Sequence, residues 1–149
     1  MILYCDTSAL AKLYLAETQS DSVANAAAAA EIIAVSRLTW VEMASALSRR
    51  AREQPADAAV IDQSRRRMAD DWPHYLVVNF TQPLAEQAGE FADAFALRAY
   101  DAVQLASAHL LHSQSGQALR FACFDARLNK AARVLGLDVA LPNVSQDSG

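Results

Sequence analysis

Residues 2–14 read ILYCDTSALAKLY, which is a short apolar run, one acidic residue and then a helical pattern. The apolar residues 2–5 predict a buried strand. Leu10 and Tyr14 are four residues apart and predict one face of a helix. Asp6 lies between the two elements, directly after the strand. This order of strand, acid and helix is the first unit of an α/β pattern that continues along the chain.

The rest of the chain repeats this alternation of short apolar runs and helical patterns. Strands are predicted at 2–5, 32–35, 75–78, 120–123 and 139–141. Helices are predicted from Asp6-Thr7-Ser8 to about residue 15, and at about 19–29, 39–52, 55–71, 82–97, 101–113 and 125–135. Such alternation is typical of a parallel sheet with helices on both faces. The predicted fold is therefore a Rossmann-like, three-layer α/β/α domain with about five strands.

Length and composition are those of one ordered globular domain. The chain has 149 residues, of which 53% are hydrophobic and 20% charged, and this balance excludes a disordered protein. We expect a domain at 1–141 and a polar, flexible tail at 142–149. Cys5 and Cys123 each end an apolar run and are interpreted as buried free thiols. No basic segment precedes Asp6 and no apolar run is long enough to span a membrane, so a cytoplasmic protein is expected.

The net charge of −4 limits how this chain could bind nucleic acid. It argues against binding through bulk positive charge. It does not exclude an enzyme that acts on nucleic acid through bound metal ions, because such ions reverse the local charge. Two arginine clusters, Arg49-Arg50-Arg52 and Arg65-Arg66-Arg67, are interpreted either as solvated helix faces or as an edge that contacts phosphates.

Four acidic residues stand at or near predicted helix N-termini: Asp6, Glu42, Asp101 and Asp125. Asp6 and Asp125 each follow a predicted strand. Because the carboxyl ends of parallel strands meet at one edge of a sheet, we expect these two side chains to project at the same edge. Glu42 and Asp101 open neighbouring helices. Carboxylate oxygens are the ligands that hard divalent cations prefer, so the four together indicate a metal site.

Each of these acids also has a purely structural interpretation. Asp125 could be only a helix N-cap, and Ser8 is as well placed as Asp6 to cap the first helix. Thr39-x-x-Glu42 matches a capping box, and Asp101-x-x-Gln104 resembles one. The structural interpretation is weaker for the four acids together than for any one alone.

The segments around the four acids resemble those of the PIN-domain family, and most closely the VapC-type toxins of VapBC toxin–antitoxin pairs. The resemblance covers nearly the whole chain in order. It rests on LYCDTSALAKLY (3–14), on Glu42, on YDAVQLA (100–106), and on FDARLNKAA (124–132) followed by Leu135-Gly136.

This resemblance implies an endoribonuclease that uses Mg²⁺ or Mn²⁺ and cleaves RNA to inhibit translation and growth. It also implies a homodimer and a VapB-type antitoxin that blocks the acidic pocket. We expect Asp6 and Asp101 to be the most direct metal ligands.

Other residues have less direct expected roles at this site. Glu42 and Asp125 are expected to bind the metal directly or through water. Thr7 or Ser8 could orient a water or a phosphate. Some relatives carry a further acid where this chain has Asn129. Asn129 could still bind a water or a phosphate, but the substitution leaves the number of metal ions open.

Other functions remain as alternatives. An aspartyl phosphatase would usually carry a second Asp two residues after the first, where this chain has Ser8. Neither a P-loop nor a GxGxxG motif is present in the sequence. A PIN-type nuclease for RNA processing or for DNA fits the same acids. A non-catalytic PIN-like binding module is disfavoured, because such a module has no chemical need for all four.

Overall fold

The computed structural model describes residues 1–141, so the predicted tail at 142–149 lies outside the described residues. The strands are β1 (Ile2–Cys5), β2 (Ile32–Ser36), β3 (Leu76–Val78), β4 (Leu119–Ala122) and β5 (Asp138–Val139). The helices are α1 (Thr7–Tyr14), α2 (Ser20–Ala28), α3 (Arg37–Glu53), α4 (Ala58–Asp71), α5 (Gln82–Phe95), α6 (Ala99–Ser115) and α7 (Ala126–Val134). Single turns of 3-10 helix precede and follow α4, at Pro55–Asp57 and Trp72–His74.

The strands form one parallel sheet in the order β3-β2-β1-β4-β5. β1 lies at its centre, and all four of its residues are buried. Cys5 at the end of β1 is in register with Ala122 at the end of β4. The residues that follow these two strands therefore leave the sheet side by side at its carboxyl edge.

Helices cover both faces of the sheet, and the side chains of β1 alternate between two cores. Ile2 and Tyr4 pack with α5, α6 and α7 on one face. Leu3 and Cys5 pack with α1, α2, α3 and α4 on the other. Burial on both faces explains why the strands read as continuous apolar runs. The predicted three-layer α/β/α class with a five-stranded parallel sheet is confirmed.

The structure corrects several predicted element boundaries. Helix α3 begins at Arg37, because the Ser36 hydroxyl accepts a hydrogen bond from the Leu38 amide and caps the helix. Thr39 lies inside the helix and is buried, so the capping box predicted from Thr39-x-x-Glu42 is wrong. Helix α6 begins at Ala99 rather than at residue 101.

The two outer strands are shorter than predicted. β3 starts at Leu76 because the amide of Tyr75 bonds to the Trp72 carbonyl and closes the preceding turn. β5 covers only Asp138–Val139. Gly136, predicted to close α7, has a φ of +84°, which a residue without a Cβ adopts at little cost.

Two simpler expectations concern the cysteines and the hydropathy of the helices. Cys5 and Cys123 are buried and free, as predicted. Within residues 1–141, no helix is both long and apolar enough to cross a membrane.

Candidate active site

Asp6 lies at the carboxyl edge of the sheet and caps α1. Its backbone amide donates to the Ala122 carbonyl at 3.1 Å, which ties it to the end of β4. Its carboxylate Oδ1 accepts from the Ala9 amide at 2.9 Å and from the Ser8 hydroxyl at 2.7 Å. The residue is only 6% exposed, and Oδ2 accepts no hydrogen bond from within residues 1–141. One oxygen is therefore used by the fold, and the other is available to a ligand.

Burial and neighbouring acids both disfavour the charged form of Asp6. Burial is the larger effect and raises the pKa of this carboxyl to about 7. The hydrogen bonds from Ala9 and Ser8 oppose the shift, and the negative charges of Asp101 and Glu42 add to it. A carboxylate in this setting is stabilised by any cation that binds beside it.

Asp101 interacts electrostatically with the other three acids. It lies in the first turn of α6 and is half-buried. Burial raises the pKa of Asp101, the negative charges of Asp125 and Glu42 raise it further, and Arg98 opposes them. The structure thus brings all four predicted acids into one electrostatic neighbourhood.

Asp125 has a second role as the N-cap of α7. Its Oδ1 accepts from the Leu128 amide at 3.0 Å. The structural interpretation of Asp6 and Asp125 as helix caps is therefore correct, and both caps also lie at the edge where the acids meet. For Asp101 the cap interpretation is wrong, because Arg98 occupies the N-cap position of α6.

The residue that sequence reasoning missed is Gln104, which is 3% exposed. Its Oε1 accepts from the Tyr4 hydroxyl at 2.6 Å. Its Nε2 lies within hydrogen-bond distance of Glu42 Oε1 at 3.1 Å, Thr39 Oγ1 at 3.0 Å and Thr7 Oγ1 at 3.3 Å. The signal available beforehand was a lone amide inside the apolar run Ala102–Ala106, since a buried polar side chain must find partners.

Thr7 completes this network. Its hydroxyl donates to Glu42 Oε1 at 3.0 Å, so the same carboxylate oxygen receives bonds from α1 and α6. The structure therefore directs the Thr7 hydroxyl to Glu42. Glu42 is held in place through Oε1, and its other oxygen accepts no hydrogen bond from within residues 1–141.

Ser8 bridges two chain segments rather than capping a helix. Its hydroxyl donates to Asp6 Oδ1 and accepts from the Phe124 amide at 3.3 Å. The prediction that it could be the N-cap of the first helix is wrong, because Asp6 is the N-cap. Ser8 is nevertheless exposed and lies beside the Asp6 carboxylate.

Asn129 is buried, at 2% exposure, and both its amide nitrogen and its amide oxygen bond to Cys123. Its Nδ2 donates to the Cys123 carbonyl at 3.2 Å, and its Oδ1 accepts from the Cys123 thiol at 3.1 Å. The structure thus gives Asn129 a packing role between β4 and α7, and its contact with a water or a phosphate stays a prediction.

The donor set fits a hydrated divalent cation. The candidate ligands are carboxylate oxygens, which suit Mg²⁺ or Mn²⁺ better than a soft metal. Among residues 1–141, no three His, Cys, Asp or Glu side chains are arranged so that they could hold one ion by themselves. Mg²⁺ keeps several of its waters and takes only one or two carboxylates directly. The arrangement therefore suits an ion that is partly held through water, and not one enclosed by four direct ligands.

A parallel sheet with an acidic group at its carboxyl edge defines a class of α/β domains that bind ligands where the strands end. The family model for the PIN domain matches residues 3–134 of this chain. The chain therefore belongs to the PIN-domain family.

Two curated relatives that are named as ribonucleases align with nearly the whole chain. The chain is 34% identical over 139 residues to Ribonuclease VapC45 and to Ribonuclease VapC49, both from Mycobacterium tuberculosis. Each alignment covers 93% of this chain and 94% of the relative. The chain therefore spans nearly the full length of these proteins.

Solved structures share the fold at lower identity. VapBC2 from Rickettsia felis, bound to a DNA fragment from its promoter, gives a TM-score of 0.63 at 12% identity, with 93% of this chain and 97% of that chain covered. Mycobacterium tuberculosis VapC20, described as a sarcin-ricin loop cleaving toxin, gives 0.61 at 17% identity, with 87% and 94% covered. A toxin–antitoxin complex from Klebsiella pneumoniae gives 0.60 at 21% identity, with 84% and 87% covered.

Proposed function

We propose that this chain is a divalent-metal-dependent endoribonuclease that acts as the toxin of a toxin–antitoxin pair. The observation that carries the proposal is the buried Asp6 carboxylate, which caps α1 with one oxygen and shares its electrostatic environment with Asp101 and Glu42. The full-length relatives named as ribonucleases support the choice of reaction.

In this proposal Asp6 and Asp101 hold Mg²⁺ or Mn²⁺ most directly, and Glu42 and Asp125 act through water. When bound, the cation supplies activation of a water and neutralises charge on the scissile phosphate. The chain's own task is orientation. Gln104 and Thr7 fix Glu42, while Ser8 and the Ala9 amide fix Asp6.

Ser8 is exposed, its hydroxyl donates to the Asp6 carboxylate, and it is proposed to orient a water or a phosphate oxygen beside Asp6. Thr7 is proposed to act mainly through Glu42, since its hydroxyl donates to that carboxylate. Asn129 is proposed to hold α7 against β4 through its two bonds to Cys123.

Cleavage assays with metal and substrate controls test the reaction. Purified protein is incubated with single-stranded RNA, structured RNA and DNA, in Mg²⁺, in Mn²⁺ and in EDTA. Asp6→Asn keeps an oxygen for the Ala9 amide but removes the charge, and Asp21→Asn is a matched change on the exposed face of α2. We expect RNA cleavage that needs the metal and is lost only in Asp6→Asn. Cleavage that survives EDTA and Asp6→Asn would overturn the proposal, and cleavage of DNA alone would assign the alternative nuclease.

The toxin role extends the proposal to partners and location. We propose that the chain works in the cytoplasm as a homodimer, inhibits translation by cutting RNA, and is blocked by a VapB-type antitoxin. Structural neighbours that are toxin–antitoxin complexes support the choice of partner.

Growth assays test the partner. The chain is expressed in bacteria with and without a co-expressed VapB-type antitoxin, beside Asp6→Asn. We expect the chain alone to arrest growth. Co-expression of the antitoxin should relieve this arrest, and so should the Asp6→Asn substitution. Normal growth with the chain alone would argue for a role without toxicity, and sedimentation of the purified chain tests the dimer.

A further inference from the structure

A cavity of about 390 Å³ opens beside the acidic group, between α3 and the first turn of α6. Glu42 belongs both to the cavity, which it lines, and to the acidic group, where it bonds to Gln104. The other lining residues are Leu38, Val41, Ser45, Arg49 and Tyr100, of which only Arg49 is charged. The cavity thus joins directly to the site where the scissile phosphate is proposed to lie.

The aromatic wall of this cavity is unusually exposed. Tyr100 is 61% exposed and immediately precedes Asp101 at the start of α6. Val41, which precedes Glu42, is 64% exposed and lines the same cavity. An exposed aromatic ring next to a polyanion-cleaving site is suited to stacking of a nucleobase, because every base offers a π-face.

The basic wall of the cavity is Arg49. It lies seven residues after Glu42 on the same side of α3, about 10 Å further along the axis at 1.5 Å per residue. Its neighbours Arg50 and Arg65 form ion pairs with Asp57 and Asp62, whereas Arg49 forms none within residues 1–141. Its positive charge is therefore available to an anion from outside the chain.

We propose that this cavity is a substrate subsite that holds one unpaired nucleotide of single-stranded RNA, with its base stacked on Tyr100 and a flanking phosphate bound by Arg49. The inference rests on the proposed ribonuclease function and adds a substrate class to it. Charge complementarity supports the occupant, because four acids alone repel RNA and a nearby arginine offsets that repulsion. Guanidinium groups bind phosphates through paired hydrogen bonds, and stacking on aromatic rings is the usual way in which proteins bind unpaired bases.

A fluorescent RNA tests the stacking. A short single-stranded RNA that carries 2-aminopurine is titrated with protein in Mg²⁺, in an Asp101→Asn background that keeps the RNA intact. We expect quenching on binding, retention of that quenching in Tyr100→Phe, and its loss in Tyr100→Ala with roughly tenfold weaker binding. Equal quenching and affinity in Tyr100→Ala would overturn the subsite.

Salt dependence tests the phosphate contact. For single strands each neutralised phosphate contributes about 0.7 to the slope of log affinity against log salt. Arg49→Gln is expected to lower that slope by about this amount, whereas Arg133→Gln, an exposed arginine at the far end of α7, leaves it unchanged. Identical slopes in Arg49→Gln and in the parent would contradict the assignment of Arg49.

Two further readouts separate this inference from its rivals. In otherwise unaltered protein, Tyr100→Ala should raise KM for single-stranded RNA more than it lowers kcat. If the parent protein cleaves no RNA, the ribonuclease proposal fails, while the binding titration still reports on the subsite. If Tyr100→Ala changes the sedimentation of the protein and leaves the quenching intact, the face is a contact between copies of the chain and the subsite is wrong.

Discussion

Gln104 donates a hydrogen bond from Nε2 to Oε1 of Glu42 at 3.1 Å, which joins α6 to α3 across 62 positions of sequence. The same amide accepts from the Tyr4 hydroxyl, on the central strand. Together with the Thr7 hydroxyl, this buried side chain therefore holds one acid of the site relative to the strand that Asp6 follows.

Gln104→Leu should disable the site as well as weaken the fold. The change leaves the Tyr4 hydroxyl and Thr39 without their partner, and we expect unfolding to become easier by about 1–3 kcal/mol. Because Glu42 loses one of its two donors and keeps only the Thr7 hydroxyl, kcat for RNA cleavage should fall by about tenfold, as for other residues that orient metal ligands.

Denaturant unfolding and RNA cleavage kinetics measure these two effects. Gln63→Leu, an exposed position on α4, is the control and should change neither. A Gln104→Leu protein with normal kcat would show that Glu42 does not need this anchor.

The raised pKa of Asp6 predicts that metal-free protein loses stability as the pH rises. The unfolded carboxyl titrates near 3.9 and the folded one at about 7. Between these values the folded state holds more protons than the unfolded state, so the free energy of unfolding falls as the pH increases. Each pKa unit corresponds to about 1.4 kcal/mol, which sets a scale of roughly 4 kcal/mol for the whole interval.

Thermal unfolding in EDTA between pH 4 and 8 measures this dependence. Asp6→Asn should flatten the curve, because an amide does not titrate, while Asp21→Asn should leave it unchanged. A curve for Asp6→Asn as steep as that of the parent would assign the loss to other groups, of which Asp101, whose pKa is also raised, is the first candidate.

Divalent cations should raise the melting temperature. Mg²⁺ or Mn²⁺ compensates the repulsion between the acids and binds the folded state preferentially, so it stabilises by mass action. Asp101→Asn should reduce the shift, because it removes one proposed ligand. Differential scanning calorimetry with and without the ion measures this. Equal shifts in the parent and in Asp101→Asn would count against a shared site.

Asn129→Asp should destabilise the protein without improving the site. The aspartate would lose the donor that now bonds to the Cys123 carbonyl and would set a buried charge against that oxygen. We expect a loss of about 1–3 kcal/mol at neutral pH, with part of it recovered in acid, where the new carboxyl is protonated. Chemical unfolding at two pH values measures this. A stability equal to that of the parent at neutral pH would contradict the packing role.

Local pattern was sufficient to predict the architecture. Short apolar runs separated by helical patterns predicted a parallel three-layer fold, because burial on both faces of a sheet leaves a continuous apolar signature in each strand. The same pattern put Asp6 and Asp125 after β1 and β4, which are neighbours in the sheet. The sequence alone therefore determined the fold class, and it also determined the edge at which the acids collect.

Tertiary structure alone decided how those acids are held. The bonds of Gln104 reach Tyr4, Thr7 and Glu42 over 100, 97 and 62 positions, and no local spacing encodes such contacts. A local pattern shows which residues are acidic and where strands end, whereas hydrogen-bond partners and burial depend on elements brought together only by folding.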